Sequence, residues 1–582
     1  MDKLTRYKKA NEEVPKKCLA WRIYGKGMEN FGDNKKPTEI PVNEPGDDEL
    51  LVRNDAVGLC FSDTKIIKLG EDHPRLRGRD IKKEPVIPGH EVALTVIKAG
   101  KNRKQYKPGS RYIVQADVYY KEVGIAYGYL LPGGLSQYGI IGKEILDGDE
   151  GSYLLPIKNE NTSYSEVALV EPWACVIASY RIKHRRGIKN QGKMLIFEGQ
   201  ASKNYRWEKL FSNNKPEKLV LSHVKSQMQK SIEESLKNSN TEIIKVEDDD
   251  IVSLCNRYTD GAGFDDIILI GDAEDEIIVS SGRNLAPYGI LNYMCSSESK
   301  QIVEIDAGKI HYDRILFIGS LGDDPSTPYE SNPEYSLRGN SILLLGAGGP
   351  MGQMHIQLAL DNKPLPELVV VTDISNERLQ TVKQKFSRVA DQKGINLQLL
   401  NPAEFSNPDD YHKKISELNN GKEYDYVICL AAIPPVIEEA SKFLGDKAVL
   451  NIFAGVSKGT IVKLNIKDVA TKSVRYIGSS GSTIEDMQIT LKKVEAGELN
   501  TNNSVAGVCG FNDVWNGMEA VRTGSFPGKI VVYPHIENLP LTSIKELKKK
   551  YPKIAAQLGN NDAWTKEAEE ELLREFLSDR WA

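Results

Sequence analysis

Residues 341–373 constrain this chain more than any other stretch. They read SILLLGAGGPMGQMHIQLAL, a polar break, and then LVVVTD. A short apolar run ends in closely spaced glycines, a helical segment follows, and a second apolar run ends in an acid. That order predicts a strand, a phosphate-cradling turn, a helix and a second strand. Gly346 permits the tight turn, Gly348 admits backbone close to a pyrophosphate, and the helix N-terminus offers free N–H groups to the anion. Asp373 is placed to accept from a ribose 2′-hydroxyl, and a phosphate there would be repelled, which favours NAD over NADP. Gly352 falls one residue later than G-x-G-x-x-G requires, after Pro350 and Met351, and Pro350 suits the first turn of a helix. The competing reading is a glycine-rich turn that merely packs.

The remaining length bounds the architecture. A chain of 582 residues holds several domains. Its net charge of −5, with both signs mixed, argues against a general nucleic-acid binder. No apolar run is long enough to span a membrane, and the opening MDKLTRYKK lacks the apolar core of a signal peptide. Seven scattered cysteines without C-x-x-C pairs point to a reducing cytoplasm rather than a disulfide framework.

Residues 14–158 read as short strands with Gly/Pro turns, an all-β and partly barrel-like module. Cys60 in GLCFSDTK, His90 and Glu91 in PVIPGHEVA, and Glu171 in LVEPWACV supply the thiolate, imidazole and carboxylate that suit a catalytic zinc. Each has a plainer reading: a buried thiol, a core histidine, a strand-end acid, and an acid in the first turn of a helix. Spacing alone does not choose between them.

The stretches VGLCFSDTK, PVIPGHEV, YKPGSRYIV, PGGLSQY, ALVEPWACV, GAGGPMG, VVVTD and SFPGKIVVYP resemble, in order, the zinc-dependent medium-chain dehydrogenase/reductase family, and within it the sorbitol dehydrogenases and sorbose-phosphate reductases. The resemblance implies an NAD(P)-dependent alcohol or polyol dehydrogenase. Its zinc would be held by Cys60, His90 and Glu171, with Glu91 a ligand or an alternate one. Ser62 would pass the substrate proton onward and Asp63 would orient the zinc histidine. Lys65 stands where some relatives carry a relay histidine. Cofactor contacts are implied at Gly346, Gly348, Gly349, Met351, Gly352, Asp373, Arg378, Ala454 and Gly478. Residues 115–138 hold no cysteine, so no structural zinc is expected beside the catalytic one.

The length beyond one catalytic and one nucleotide domain has an internal explanation. From Met194, and again from Ser341, about six apolar runs alternate with helical segments, and both series close on Ile-Gly-Ser. Two successive doubly wound domains are expected, giving an α/β protein with a GroES-like β-rich domain and tandem Rossmann-type domains. The boundaries are 1–185 for the zinc module, 190–335 and 338–500 for the two copies, 501–535 for a return to the module, and 536–582 for a helical extension. The first copy's turn, FEGQASKNYRW, keeps one glycine, and Lys203, Tyr205 and Arg206 would crowd a pyrophosphate. The nucleotide is therefore assigned to the second copy. The Lys/Glu-rich tail reads as a solvated helix or as a docking or oligomer contact. The function expected is hydride transfer between NAD(H) and a secondary alcohol or ketone, a polyol, sugar or sugar phosphate. The alternatives are a zinc-free quinone or enone reductase and a non-catalytic nucleotide sensor.

Overall fold

The computed structural model describes residues 2–10, 12–331 and 335–581. They form two units, one of residues 1–178, 349–354 and 481–582, the other of residues 179–348 and 355–480.

The first unit is built on an eight-stranded sheet among the described residues. Its centre is the antiparallel pair Leu50–Gly58 and Glu91–Ala99, with Lys529–Tyr533 on the far side of Leu50–Gly58. The pair is buried almost throughout, which is why both strands read as nearly continuous apolar runs. Gly58 lies opposite Glu91 in this ladder. That register brings the residues just past one strand and just before the other, Cys60 and His90, to the same end of the sheet. The module is not purely β: a helix, Phe61–Leu69, starts directly after Cys60. Alternation could not reveal it because FSDTKIIKL is short and weakly amphipathic.

The tail belongs to this unit's interior. Trp564 and Trp581 are buried, as are Leu572 and Leu573 of the helix Lys566–Phe576. Buried Glu569 accepts from the amides of Tyr164 and Ser165 at 2.7 and 2.8 Å and from the Tyr533 hydroxyl at 3.0 Å. The expectation of a solvated extension is thus corrected. Ala568, Glu569, Leu572 and Leu573 of the helix turn inward, between buried Trp564 before it and buried Trp581 after it.

The second unit contains two six-stranded parallel sheets. Each has its strands in the order third, second, first, fourth, fifth, sixth. In the second copy the first strand Ser341–Leu345 runs into the helix Pro350–Asp361 and on to Leu368–Thr372. In the first copy no helix lies between Lys193–Glu198 and Lys218–Ser222 among the described residues. Tyr205 instead enters the crevice at the strand ends, where its hydroxyl donates to the Met294 carbonyl at 3.1 Å and receives the Gly271 amide at 3.2 Å. The turn has lost its phosphate cradle and also the helix terminus behind it.

Between its fifth and sixth strands each copy carries one extra strand, Ile302–Asp306 in the first and Ile461–Asn465 in the second. These pair antiparallel, Ile302 with Asn465 and Asp306 with Ile461. The first residue of each meets the last of the other, the reciprocal pattern of a two-fold axis. Val303, Ile305, Val462 and Leu464 sink from this pair into one core shared by both copies.

Candidate functional site

Cys60 ends the strand-to-helix turn as the N-cap of Phe61–Leu69, and Asp63 closes the capping box behind it. Asp63 is buried. It accepts the Cys60 amide at 3.2 Å, the Gly89 amide at 3.3 Å and Nδ1 of His90 at 3.2 Å. A carboxylate accepts here, so Nδ1 donates to it, and Nε2 is the nitrogen left facing Cys60 and Ser62. Ser62 Oγ stands 2.9 Å from Cys60 Sγ and 3.3 Å from His90 Nε2. Burial resists charge on His90, but the Asp63 carboxylate and the Cys60 sulfur overcome it and hold its pKa well above the ordinary imidazole value.

Donor atoms of Cys60, His90 and Glu91 lie within 4.8 Å of one another. Glu91 is fully buried. Its Oε1 is bound by Lys529 Nζ at 2.6 Å, and its Oε2 has no hydrogen-bond partner. A half-buried thiol, a buried imidazole whose Nε2 faces it and a buried carboxylate with an orphaned oxygen form a donor set suited to a zinc-sized cation. Glu171, on the second residue of the helix Val170–Ser179, stands outside this group. Burial pushes its pKa up to about 7, with His90 and Lys529 opposing and Glu91 and Asp117 adding to the shift. Its Oε1 receives Sγ of Cys175 at 3.6 Å.

Lys529 escaped the sequence reading. It also donates to the Leu59 carbonyl at 2.9 Å, tying the end of the Cys60 strand to the Glu91 strand. The only signal was a lysine opening an otherwise apolar strand, KIVVY. Nothing in one dimension names its partner.

At the second copy's turn, Gly346 has φ of +70°, as the tight bend requires. Gly348 has a different reason from the one inferred. A Cβ there would sit 2.7 Å from Arg378 Cβ and 2.8 Å from Asp373 Oδ2, so the side chains of Asp373 and Arg378 already fill that space. Asp373 is buried and accepts the Gly348 and Ser375 amides, each at 2.9 Å. Gly349, by contrast, faces open space. Met351 and Gly352 lie in the first turn of Pro350–Asp361. Ala454 follows the fifth strand Leu444–Ile452, and Gly478 follows the sixth, Arg475–Ile477. The turn, the open glycine and the helix start are the parts a dinucleotide requires, and they fit it. Among the described residues no helix is long and apolar enough to cross a membrane.

The sequence matches the alcohol dehydrogenase GroES-like domain over residues 46–146 and the zinc-binding dehydrogenase domain over residues 350–496. A mannitol-1-phosphate 5-dehydrogenase of Aliivibrio fischeri is 24% identical over 541 residues, 90% of this chain and 92% of the relative. An L-sorbose 1-phosphate reductase of Klebsiella pneumoniae is 28% identical over 330 residues, 52% of this chain and 75% of the relative. A solved 2R,3R-butanediol dehydrogenase from Bacillus subtilis is 14% identical, with a TM-score of 0.48, covering 89% of this chain and 99% of that one. With the GroES-like sheet, the Cys60–His90–Glu91 group and the doubly wound copies in place, the chain belongs to the zinc-type medium-chain dehydrogenase/reductase family of alcohol and polyol dehydrogenases.

Proposed function

We propose that this protein is a zinc-dependent oxidoreductase that exchanges hydride between NAD(H) and the secondary alcohol or ketone of a polyol or ketose phosphate. The observation that carries the reading is the Cys60–His90–Glu91 group, its histidine and glutamate buried, with the orphaned Glu91 oxygen. When bound, the metal supplies Lewis acidity at the substrate oxygen and the nicotinamide supplies the hydride acceptor.

The chain's own residues then have defined tasks. Cys60, His90 and Glu91 would hold the ion. Asp63 fixes the imidazole through Nδ1 and leaves Nε2 on the side of Cys60 and Ser62. Ser62 Oγ, already between sulfur and imidazole, receives the substrate hydroxyl proton. Glu171, outside the donor group, is a fourth ligand or a second proton acceptor. Lys529 balances the Glu91 charge, so thiolate and carboxylate tolerate each other without water. Asp373, at the end of the second strand, favours NAD over NADP by its charge. The substrate class draws support from the names of the two relatives, both for sugar or polyol phosphates, and from the two carboxylates in or beside the centre.

The test is a reductase screen over ketose phosphates and ketoses with NADH and NADPH side by side, together with metal analysis. One zinc per chain, lost in Cys60→Ser along with at least 10³-fold of the activity, is expected. Full activity in a zinc-free protein or in Cys60→Ser would overturn the reading.

A further inference from the structure

The first copy has lost its own nucleotide turn, yet it is fastened to the second copy at one particular place. The segment 452–460 leaves the fifth strand of the second copy, at the strand ends where a doubly wound sheet receives the reactive half of its dinucleotide. Side chains of the first copy grip both ends of it. At the start, His311 Nδ1 lies 3.1 Å from the Ile452 carbonyl, and the His311 backbone packs so closely on Gly478 that a Cβ there would come within 2.9 Å of it. At the far end Asp306 Oδ2 accepts the Gly459 amide at 2.9 Å, the Ala307 amide donates to the Thr460 carbonyl at 2.9 Å, and Asp313 pairs with Lys458 at 2.6 Å. Gly308 lies against the Ser457 carbonyl with no room for a side chain.

The mirror contacts show what this grip adds. Related by the two-fold, the Ile466 amide donates to the Gln301 carbonyl at 3.0 Å, as Ala307 does to Thr460. On that side, however, Lys467 Nζ reaches Asp272 at 3.1 Å and Ser297 at 2.6 Å. The second copy thus sends a lysine to the first copy's strand ends, where Tyr205 already stands, whereas at the matching position of the first copy Gly308 carries no side chain and meets only the Ser457 carbonyl.

We propose that the first copy serves as a fixed anchor for the cofactor loop of the second, with Asp306 and Asp313 as positioning residues for the nicotinamide end. This rests on the reading that the second copy binds NAD(H). A loop tied at both ends is already ordered when the cofactor arrives, so less freedom is lost on binding.

The test uses the full-length protein and three measurements: NADH affinity by fluorescence titration, hydrogen exchange of the apo protein over residues 453–460, and the melting temperature. Asp306→Asn/Asp313→Asn is expected to speed exchange in the loop at least tenfold and weaken NADH about tenfold. Lys467→Met, which breaks the mirror contact, is expected to lower the melting temperature comparably with less than twofold change in NADH affinity. If the double variant fails to fold, Asp313→Lys and the reversed pair Asp313→Lys/Lys458→Asp replace it, the first weakening NADH and the second restoring it. Unchanged affinity in the variants beside a wild type that binds NADH overturns the anchor alone, as does unchanged loop exchange. A wild type that binds neither NADH nor NADPH overturns the cofactor reading and the anchor with it.

Discussion

At the scale of single residues, the proposed metal centre would depend on groups that never touch the ion. Asp63 is the sharpest case. Its carboxylate serves the Cys60 amide, the Gly89 amide and His90 at once. Asp63→Asn keeps the shape but replaces one acceptor by a donor, so the imidazole loses its fixed tautomer. Zinc affinity, measured by competition with a chelating dye, is expected to fall about 10- to 100-fold, with the melting temperature of the metal-free protein lowered far less. Cys60, His90 and Glu91 were legible in the sequence because their residue types are those a zinc requires, and register then brought them together. The resemblance implied Glu171 and kept Glu91 as a ligand or an alternate one, and the structure puts Glu91 inside the donor group and Glu171 outside it. The difference is one of three-dimensional reach, since GHE and VEPW carry equally good carboxylates on paper. Lys529 was invisible for the complementary reason: its partner lies in a strand remote in the chain.

At the scale of elements, the glycine turn separates two roles that one motif conflates. Gly348→Ala must displace Asp373 and Arg378 and is expected to cost about 1–3 kcal/mol of stability, read from urea unfolding. Gly349→Ala meets nothing and is expected to leave stability unchanged while weakening NADH, because on the proposed reading a pyrophosphate would approach this open backbone closely. The helix behind the turn carries a second testable group. His355 is buried, takes the Tyr180 hydroxyl at Nδ1, and has its pKa lowered to about 3 by burial. The unfolded chain takes up this proton below about pH 6.5 and the folded protein does not until about pH 3, so stability is full above 6.5 and declines as the pH drops through that window. Between pH 7 and pH 5 His355 is expected to account for a loss of about 2 kcal/mol, and His355→Gln should make that part of the urea-midpoint profile shallower, with buried His184 and His535 supplying the slope that remains. The turn and strand order could be read ahead of the structure. The missing helix of the first copy could not, because the change from four glycines to one announces a lost ligand and not a lost element.

At the scale of the whole molecule, sequence periodicity found two copies but not what joins them. The joining strands, IVEID and IVKLN, are short, and only two residues of each are buried, so neither announces a partner. The tail was misread for a related reason. Its tryptophans are spaced among lysines and glutamates that dominate any composition count, yet Trp581 sits 4.8 Å from Tyr7 near the other end of the chain. Trp581→Ala is expected to destabilise the first unit by about 3–5 kcal/mol, seen as an earlier unfolding transition for peptides of residues 1–178 in pulse-labelling exchange.

The reciprocal strand pairing has a further consequence. Where such halves belong to separate chains, their union weakens as the solution is thinned, and both halves must share one sequence. Joined on one polypeptide, they meet at an effective concentration set by the linker and not by the amount of protein. Each half is also free to change without its counterpart changing too, so the bargain struck between a working copy and a supporting one is inherited as a single gene product and survives any dilution.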